Sequence, residues 1–152
     1  MSGRRIYLAS SWRNPQQPEL VTTLRAEGHE VYDFRNPPGG SGFGWEQLDP
    51  DWNRDAPAGQ TSVWTYLDMI DHPVAVEGFT ADLTAMEWAD TFVLALPCGR
   101  SAHLEAGWAC GRGVPTAILL GEDPMEPELM YRLANVPCAS IESLVLWLGG
   151  LA

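Results

Sequence analysis

Apolar and polar residues divide this chain into short runs that are apolar throughout and longer runs that are apolar on one face only. Phe92 to Leu96 is wholly apolar, as a strand covered on both faces must be, and Pro97-Cys98-Gly99 stops it. Arg5 to Ser10, Glu30 to Phe34, Thr116 to Leu120 and a short run around Val136 to Ala139 read as further strands. Pro15 to Glu27 reads as a helix whose Leu20, Val21 and Leu24 share a face before Gly28 ends it. Ser101 can cap a helix running to about Arg112, in which Gly107 and Gly111 sit one turn apart and would let it lie close on a sheet, while Gly113 and Pro115 close it. Thr61 to Asp71 and Phe79 to Ala89 read as helices with Pro73 breaking between them, and Glu126 to Ala134 and Ile141 to Leu148 complete the set.

The resulting order, β-α-β-loop-α-α-β-α-β-α-β-α, predicts an α/β fold: a parallel sheet with helices on both faces, as right-handed crossovers require. The expected architecture is a flavodoxin-like or Rossmann-like three-layer fold with five strands in the order 2-1-3-4-5. At 152 residues the chain is most simply one domain, 1–152, large enough to bury roughly two-thirds of its unfolded surface. From Arg35 to about Gln60 the composition shifts to Pro, Gly, Asp and Trp, so residues 36–60 are expected to form a functional loop or lid, or else a surface insertion. As a lid, Asp49, Asp51 and Asp55 with Trp45 and Trp52 would bring an indole to stack on a base; the other account is solvated acids and a tryptophan that anchors the loop.

Composition narrows the partners. A formal charge of −11 argues against nucleic-acid polymers and anionic membrane surfaces, although one or two local arginines could still hold a small anion. All nine basic residues are Arg, which excludes a Schiff-base lysine mechanism. Cys98, Cys110 and Cys138 are odd in number and show no metal-ligand spacing, which fits a reduced, cytoplasmic setting with no metal and no cofactor. Met1 to Trp12 is unlike a signal peptide, and no run approaches a membrane-spanning length.

In α/β units ligands gather at the carboxyl ends of strands, where a helix N-terminus offers free N–H groups and the positive end of its dipole. Gly99, Arg100, Ser101, His103 and Glu105 all fall at such a place, after the third strand. Ser11 and Arg13, just past the first strand, face the same expected cleft. Two other motifs fail. Cys98-Gly-Arg-Ser lacks the Cys-x5-Arg spacing of a phosphatase loop, since position 104 is leucine, and the glycines from Gly39 to Gly44 are followed by no Lys-Ser/Thr pair.

Three segments carry a resemblance: Ile6-Tyr7-Leu8-Ala9, the stretch Asp82 to Asp90, and His103-Leu104-Glu105-Ala106-Gly107-Trp108-Ala109. Together, in order and over most of the chain, they resemble the nucleoside 2-deoxyribosyltransferase family and its relatives that hydrolyse nucleoside 5′-monophosphates. The resemblance implies Glu105 as nucleophile, Asp82 as the acidic partner of the leaving base, and Tyr7 as the residue that orients Glu105. The transferases also carry an aspartate six residues before the nucleophile, where this chain has Gly99; the phosphate-hydrolysing relatives carry a serine nearby, and here Ser101 stands four residues before Glu105.

The chemistry agrees with those roles. Breaking an N-glycosidic bond builds positive charge on the anomeric carbon, which a carboxylate can stabilise or attack, while a second group protonates or hydrogen-bonds the departing base. Arg100 and Ser101 suit a 5′-phosphate, because backbone N–H groups, a hydroxyl and a guanidinium would converge there; the plainer account makes Ser101 an N-cap and Arg100 a solvated residue. Tyr7 could equally be a strand aromatic packed in the core, and His103 could contact the ligand, help titrate Glu105, or do neither, as is commoner for a lone His in a first helical turn. The expected activity is retaining hydrolysis or deoxyribosyl transfer on a nucleoside or nucleotide, in a possible homo-oligomer. The alternatives are a non-catalytic module that binds a nucleotide derivative on the same fold, and an NAD glycohydrolase.

Overall fold

The computed structural model describes residues 3–54, 61–121 and 123–151. Its strands are β1 (Arg5–Ala9), β2 (Glu30–Tyr32), β3 (Thr91–Ala95), β4 (Thr116–Leu119) and β5 (Val136–Cys138), and its helices α1 (Gln17–Ala26), α2 (Val63–Ile70), α3 (Pro73–Trp88), α4 (Arg100–Gly111) and α5 (Ile141–Gly150). The chain divides into two compact units, Met1–Asp33 with Ala85–Ala152, and Phe34–Thr84.

The first unit holds the sheet. All neighbouring strands pair in parallel, in the order β2-β1-β3-β4-β5, which is the α/β topology the sequence predicts. Because successive side chains alternate between faces, the register sorts them into two sets. Ile6, Leu8, Val31, Val93, Ala95, Ala117 and Leu119 join Leu20, Val21 and Leu24 of α1 and Leu144 and Leu148 of α5 in one aliphatic core. On the other face, Tyr7 stands beside Tyr32 and Phe92, and Phe92 beside Thr116, in a single row across four strands. Leu24 and Leu144 are 0% exposed; burying each stabilises the fold by roughly 1.5–3 kcal/mol.

The helices follow from local chemistry, with several departures from the sequence reading. The residues α1 buries are Gln17, Leu20, Val21 and Leu24, and the chain leaves it through Gly28 at φ +89°, a conformation that costs only glycine nothing. In α4 it is Ala102, Ala106 and Ala109 that are buried, whereas Gly107 and Gly111 are exposed, with open space where a side chain would stand. The small residues that allow close approach to the sheet are therefore the alanines, not the glycines. Nor does Ser101 cap α4: the N-cap is Gly99, in an extended conformation with no side-chain capping bond, and Ser101 lies inside the first turn. Residues 126–134 do not form an α-helix. They form a short 3-10 helix, Leu129–Leu133, with the Glu128 side chain accepting from the Met130 N–H; Leu129, Met130 and Leu133 are exposed, so no buried face drives a longer helix.

The second unit contains α2 and most of α3. Pro73 opens α3 rather than separating it from a helix at Phe79, because a first-turn proline lacks only an N–H that would have no partner anyway. His72 Nδ1 accepts from the Val74 N–H at 3.2 Å and caps this start. The stretch before α2 is anchored by aromatic packing: Phe43 meets Trp45 edge-on at 5.1 Å, and Trp45 lies 6.0 Å from Tyr66 of α2. A methyl group on Gly78 of α3 would come within 2.8 Å of Phe43 Cβ, so this glycine is the seat of that ring. Trp45–Gln47 forms a 3-10 turn, and Arg54 binds Glu46 at 3.1 Å. The rest of the stretch read as a lid, residues 55–60 with Asp55, lies outside the described residues.

Candidate active site

The site is assembled at the carboxyl ends of β1 and β3 and in the opening turns of α4. Tyr7, on β1, is 1% exposed, yet it is not simply a core aromatic. Its hydroxyl donates to Glu105 Oε1 at 3.2 Å. Glu105 is in the second turn of α4, half-buried, one turn beyond the buried Ala102 that holds the helix on the sheet. The Tyr7 ring is stacked between Tyr32, at 5.3 Å and 17°, and Phe92, at 4.9 Å and 19°. Register places these three rings, so a strand pattern read one segment at a time could not have found Tyr32 and Phe92.

At the N-terminus of α4, a shallow groove is lined by Cys98, Gly99, Arg100, His103 and Leu104. Arg100 and Ser101 are exposed in the first turn of α4, where N–H groups have no intrahelical partner in any α-helix. Glu105 and Tyr7 are not among the residues that line the groove. His103 is occupied on both ring nitrogens. Its Nδ1 lies 2.7 Å from the Gly99 carbonyl and its Nε2 2.9 Å from the Tyr131 hydroxyl. A carbonyl can only accept, so the geometry assigns a proton to Nδ1. His103 thus ties the 3-10 helix to the start of α4, with the Tyr131 ring stacked on it at 5.8 Å.

Cys98 stands between these groups. Its Sγ is 3.7 Å from His103 Nδ1, and burial, reinforced by the negative charge of Glu105, pushes its thiol up to about 12. The thiol is therefore protonated at neutral pH and is no competing nucleophile.

A polar joint missed in the sequence connects the two strand ends. Asn14 is 2% exposed; its Nδ2 donates to Ser10 Oγ at 3.0 Å and to the Leu96 carbonyl at 3.3 Å, and its Oδ1 accepts from the Gln16 N–H at 3.0 Å. Ser10 Oγ in turn donates to the Ala95 carbonyl at 2.9 Å. The turn that carries Ser11 and Arg13 is thereby fixed to the end of β3, and the Arg13 N–H donates to Ser11 Oγ at 3.1 Å. Behind it, buried Gln17 donates to Asp33 at 2.8 Å, with its own Oε1 unpartnered.

Of the residues singled out in the sequence, Tyr7 and Glu105 are in contact, Gly99, Arg100 and His103 share the groove, Ser101 lies in the first turn of α4, and Ser11 and Arg13 stand on the loop after β1. Asp82 is half-buried on α3, in the second unit. Among the described residues, no group of three or more His, Cys, Asp or Glu side chains is placed to hold a metal, and no helix is long and apolar enough to cross a membrane.

No family model matches the sequence, and no curated protein matches it. Solved structures do. A 2-deoxyribosyltransferase from the psychrotolerant bacterium Bacillus psychrosaccharolyticus is 21% identical, with 92% of this chain and 89% of that one covered, at a TM-score of 0.56. A CMP N-glycosidase from Clostridium botulinum is 18% identical over 95% and 97% of the two chains, at a TM-score of 0.50. A conserved protein from Enterococcus faecalis V583 is 13% identical over 98% of each, at 0.57. The chain has the fold of these proteins along nearly its whole length.

Proposed function

We propose that this protein cleaves the N-glycosidic bond of a nucleoside or nucleoside 5′-monophosphate, with Glu105 as the nucleophile. The observation that carries the reading is the hydrogen bond from Tyr7 of β1 to Glu105 of α4, in a fold shared with a 2-deoxyribosyltransferase and a CMP N-glycosidase. A half-buried carboxylate whose Oε1 accepts a hydrogen bond from a fixed phenolic O–H is held in one orientation, as a nucleophile that must attack along one line requires.

In this reaction a Glu105 oxygen attacks the anomeric carbon as the bond to the base nitrogen breaks. The base leaves with the bonding electron pair and takes a proton from Asp82 in its acid form, a role that rests on the sequence resemblance. Water then attacks the same carbon, the ester C–O bond breaks to restore the Glu105 carboxylate, and the proton released by water returns to Asp82. Two inversions give net retention. A second base in place of water would make the reaction a transfer. Arg100, Ser101 and the first-turn N–H groups of α4 bind the 5′-phosphate, and that anion site favours a monophosphate hydrolase over a transferase acting on plain nucleosides.

The test is Glu105→Gln, which keeps the shape and the Tyr7 contact but removes the charge. Release of free base from a panel of nucleosides and monophosphates should fall by about three orders of magnitude or more. The melting temperature should hardly change. Wild-type turnover in the folded variant would exclude Glu105 as nucleophile.

A further inference from the structure

The row of aromatic rings across the sheet does more than fill space, and its function follows from where Tyr7 sits. A buried tyrosine on a strand has two torsions to fix before its hydroxyl points anywhere in particular. Tyr7 is flanked on both sides by its direct register partners, Tyr32 on β2 and Phe92 on β3, each ring stacked against it and nearly parallel to it. Aliphatic neighbours would leave the ring free to rock. Two stacked rings leave it one plane, in which the hydroxyl meets Glu105. Phe92 is 0% exposed and Tyr32 8%, so neither ring can swing aside to solvent.

We infer that Tyr32 and Phe92 are positioning residues for the reaction, acting through Tyr7 to hold the Glu105 carboxylate on its attack line. This rests on the proposed role of Glu105. Neither ring reaches the substrate in this scheme; a preorganised hydrogen bond is worth most when the group that makes it cannot relax.

Four variants test it: Tyr7→Phe, Phe92→Leu, the double Tyr7→Phe/Phe92→Leu, and Val93→Ala as control. Val93, the next residue of β3, is 0% exposed and faces the aliphatic core. Tyr7→Phe should lower kcat for base release by about tenfold to a hundredfold, the range of one hydrogen bond to a charged group. Phe92→Leu should lower kcat by about threefold to tenfold with KM almost unchanged, because alignment and not binding is lost. The double variant should be no slower than Tyr7→Phe, since a clamp without a hydroxyl to aim has no further function. Val93→Ala should lower the melting temperature and leave kcat alone. If the losses in the double variant multiply, or Phe92→Leu turns over at the wild-type rate, the inference fails. Should Phe92→Leu not fold, Tyr32→Leu carries the same expectations from the opposite side of the ring.

A second readout needs no turnover. In protein with carbon-labelled glutamate, NMR titration follows the Glu105 carboxyl itself. Its midpoint should rise in Tyr7→Phe, rise less in Phe92→Leu, and stay put in Val93→Ala; Cys98, the thiol beside it, remains protonated through this range. A midpoint unmoved by Phe92→Leu overturns the inference whatever Glu105 does. Turnover retained in Glu105→Gln would defeat the proposed function and leave this result standing.

Discussion

The two faces of the sheet are equally buried and differently made. One is aliphatic, with Ile6, Leu8, Val31, Val93, Ala95, Ala117 and Leu119 packed under α1 and α5. The other carries Tyr32, Tyr7, Phe92 and Thr116 in one row, and Tyr7 reaches Glu105 of α4. Branched aliphatic side chains interlock closely and offer no polar atom, so that face contributes stability and nothing else. The aromatic face gives up some of that close fit for rings whose planes can aim a hydroxyl. On the proposed reading the same strands therefore do two jobs, and a substitution can address either one by its parity along the strand.

The comparison breaks most visibly at α5. Leu144, wholly buried on the aliphatic side, should cost about 2–5 kcal/mol of stability as Leu144→Ala. Denaturant unfolding would show it as a lower midpoint, while kcat of the folded fraction stays at the wild-type value. A fall in kcat beyond the folded fraction would mean that the two faces are not separable. A smaller effect should come from the helix lying over the other face. On the proposed reading, Arg100→Ala weakens monophosphate use by roughly 1.5–3 kcal/mol in kcat/KM, the scale of a charge-assisted hydrogen bond, and barely changes nucleoside use. Equal losses on both substrates would remove phosphate from the site.

The smallest effect sharpens the electrostatics of the site face. Cys98 is held up near 12, first by burial and then by Glu105, so its thiol should alkylate much more slowly in the folded protein than in the unfolded chain at pH 8. The sign of the linkage is fixed. A thiol whose value is raised on folding contributes its stability below the unfolded value and loses it as pH climbs from about 9 toward 12, because there the unfolded chain sheds a proton that the folded one retains. Glu105→Gln should speed alkylation of Cys98 modestly, and no change would mean that the thiol does not feel the carboxylate.

How much of this could be read from the sequence depends on the range of the physics involved. The strands, the Gly28 stop and the place of Glu105 near a helix start follow from local pattern, the strand order from the succession of elements along the chain, and the pairing of Tyr7 with Glu105, 98 residues apart, from the resemblance. What escaped depends on distant neighbours. Gly107 and Ala106 are equally small, and only the azimuth of α4 on the sheet decides that the alanine faces inward. Leu129, Met130 and Leu133 have helical spacing but stay exposed, and only a 3-10 turn forms. Ser101 was the obvious cap by residue type, yet the backbone turns one peptide earlier, at Gly99. His103 read as a possible ligand contact, and its ring nitrogens are spent on Gly99 and Tyr131, the latter 28 residues away. Asn14 had no signal at all, since a buried amide and a solvated turn asparagine look alike in one dimension.

That asparagine has a consequence for the chemical ageing of the protein. Asparagine commonly decays to aspartate when the backbone N–H that follows attacks its side-chain amide and closes a succinimide. Asn14 is followed by Pro15, whose ring nitrogen has no hydrogen to give up. The succinimide route is therefore closed at the one amide on which both strand-end loops hang, where a new negative charge would face the carbonyl of Leu96. The joint should outlast the exposed Asn53 of the same chain, whose neighbour Arg54 supplies an ordinary N–H, and peptide mapping of protein stored for months at neutral pH would show the difference.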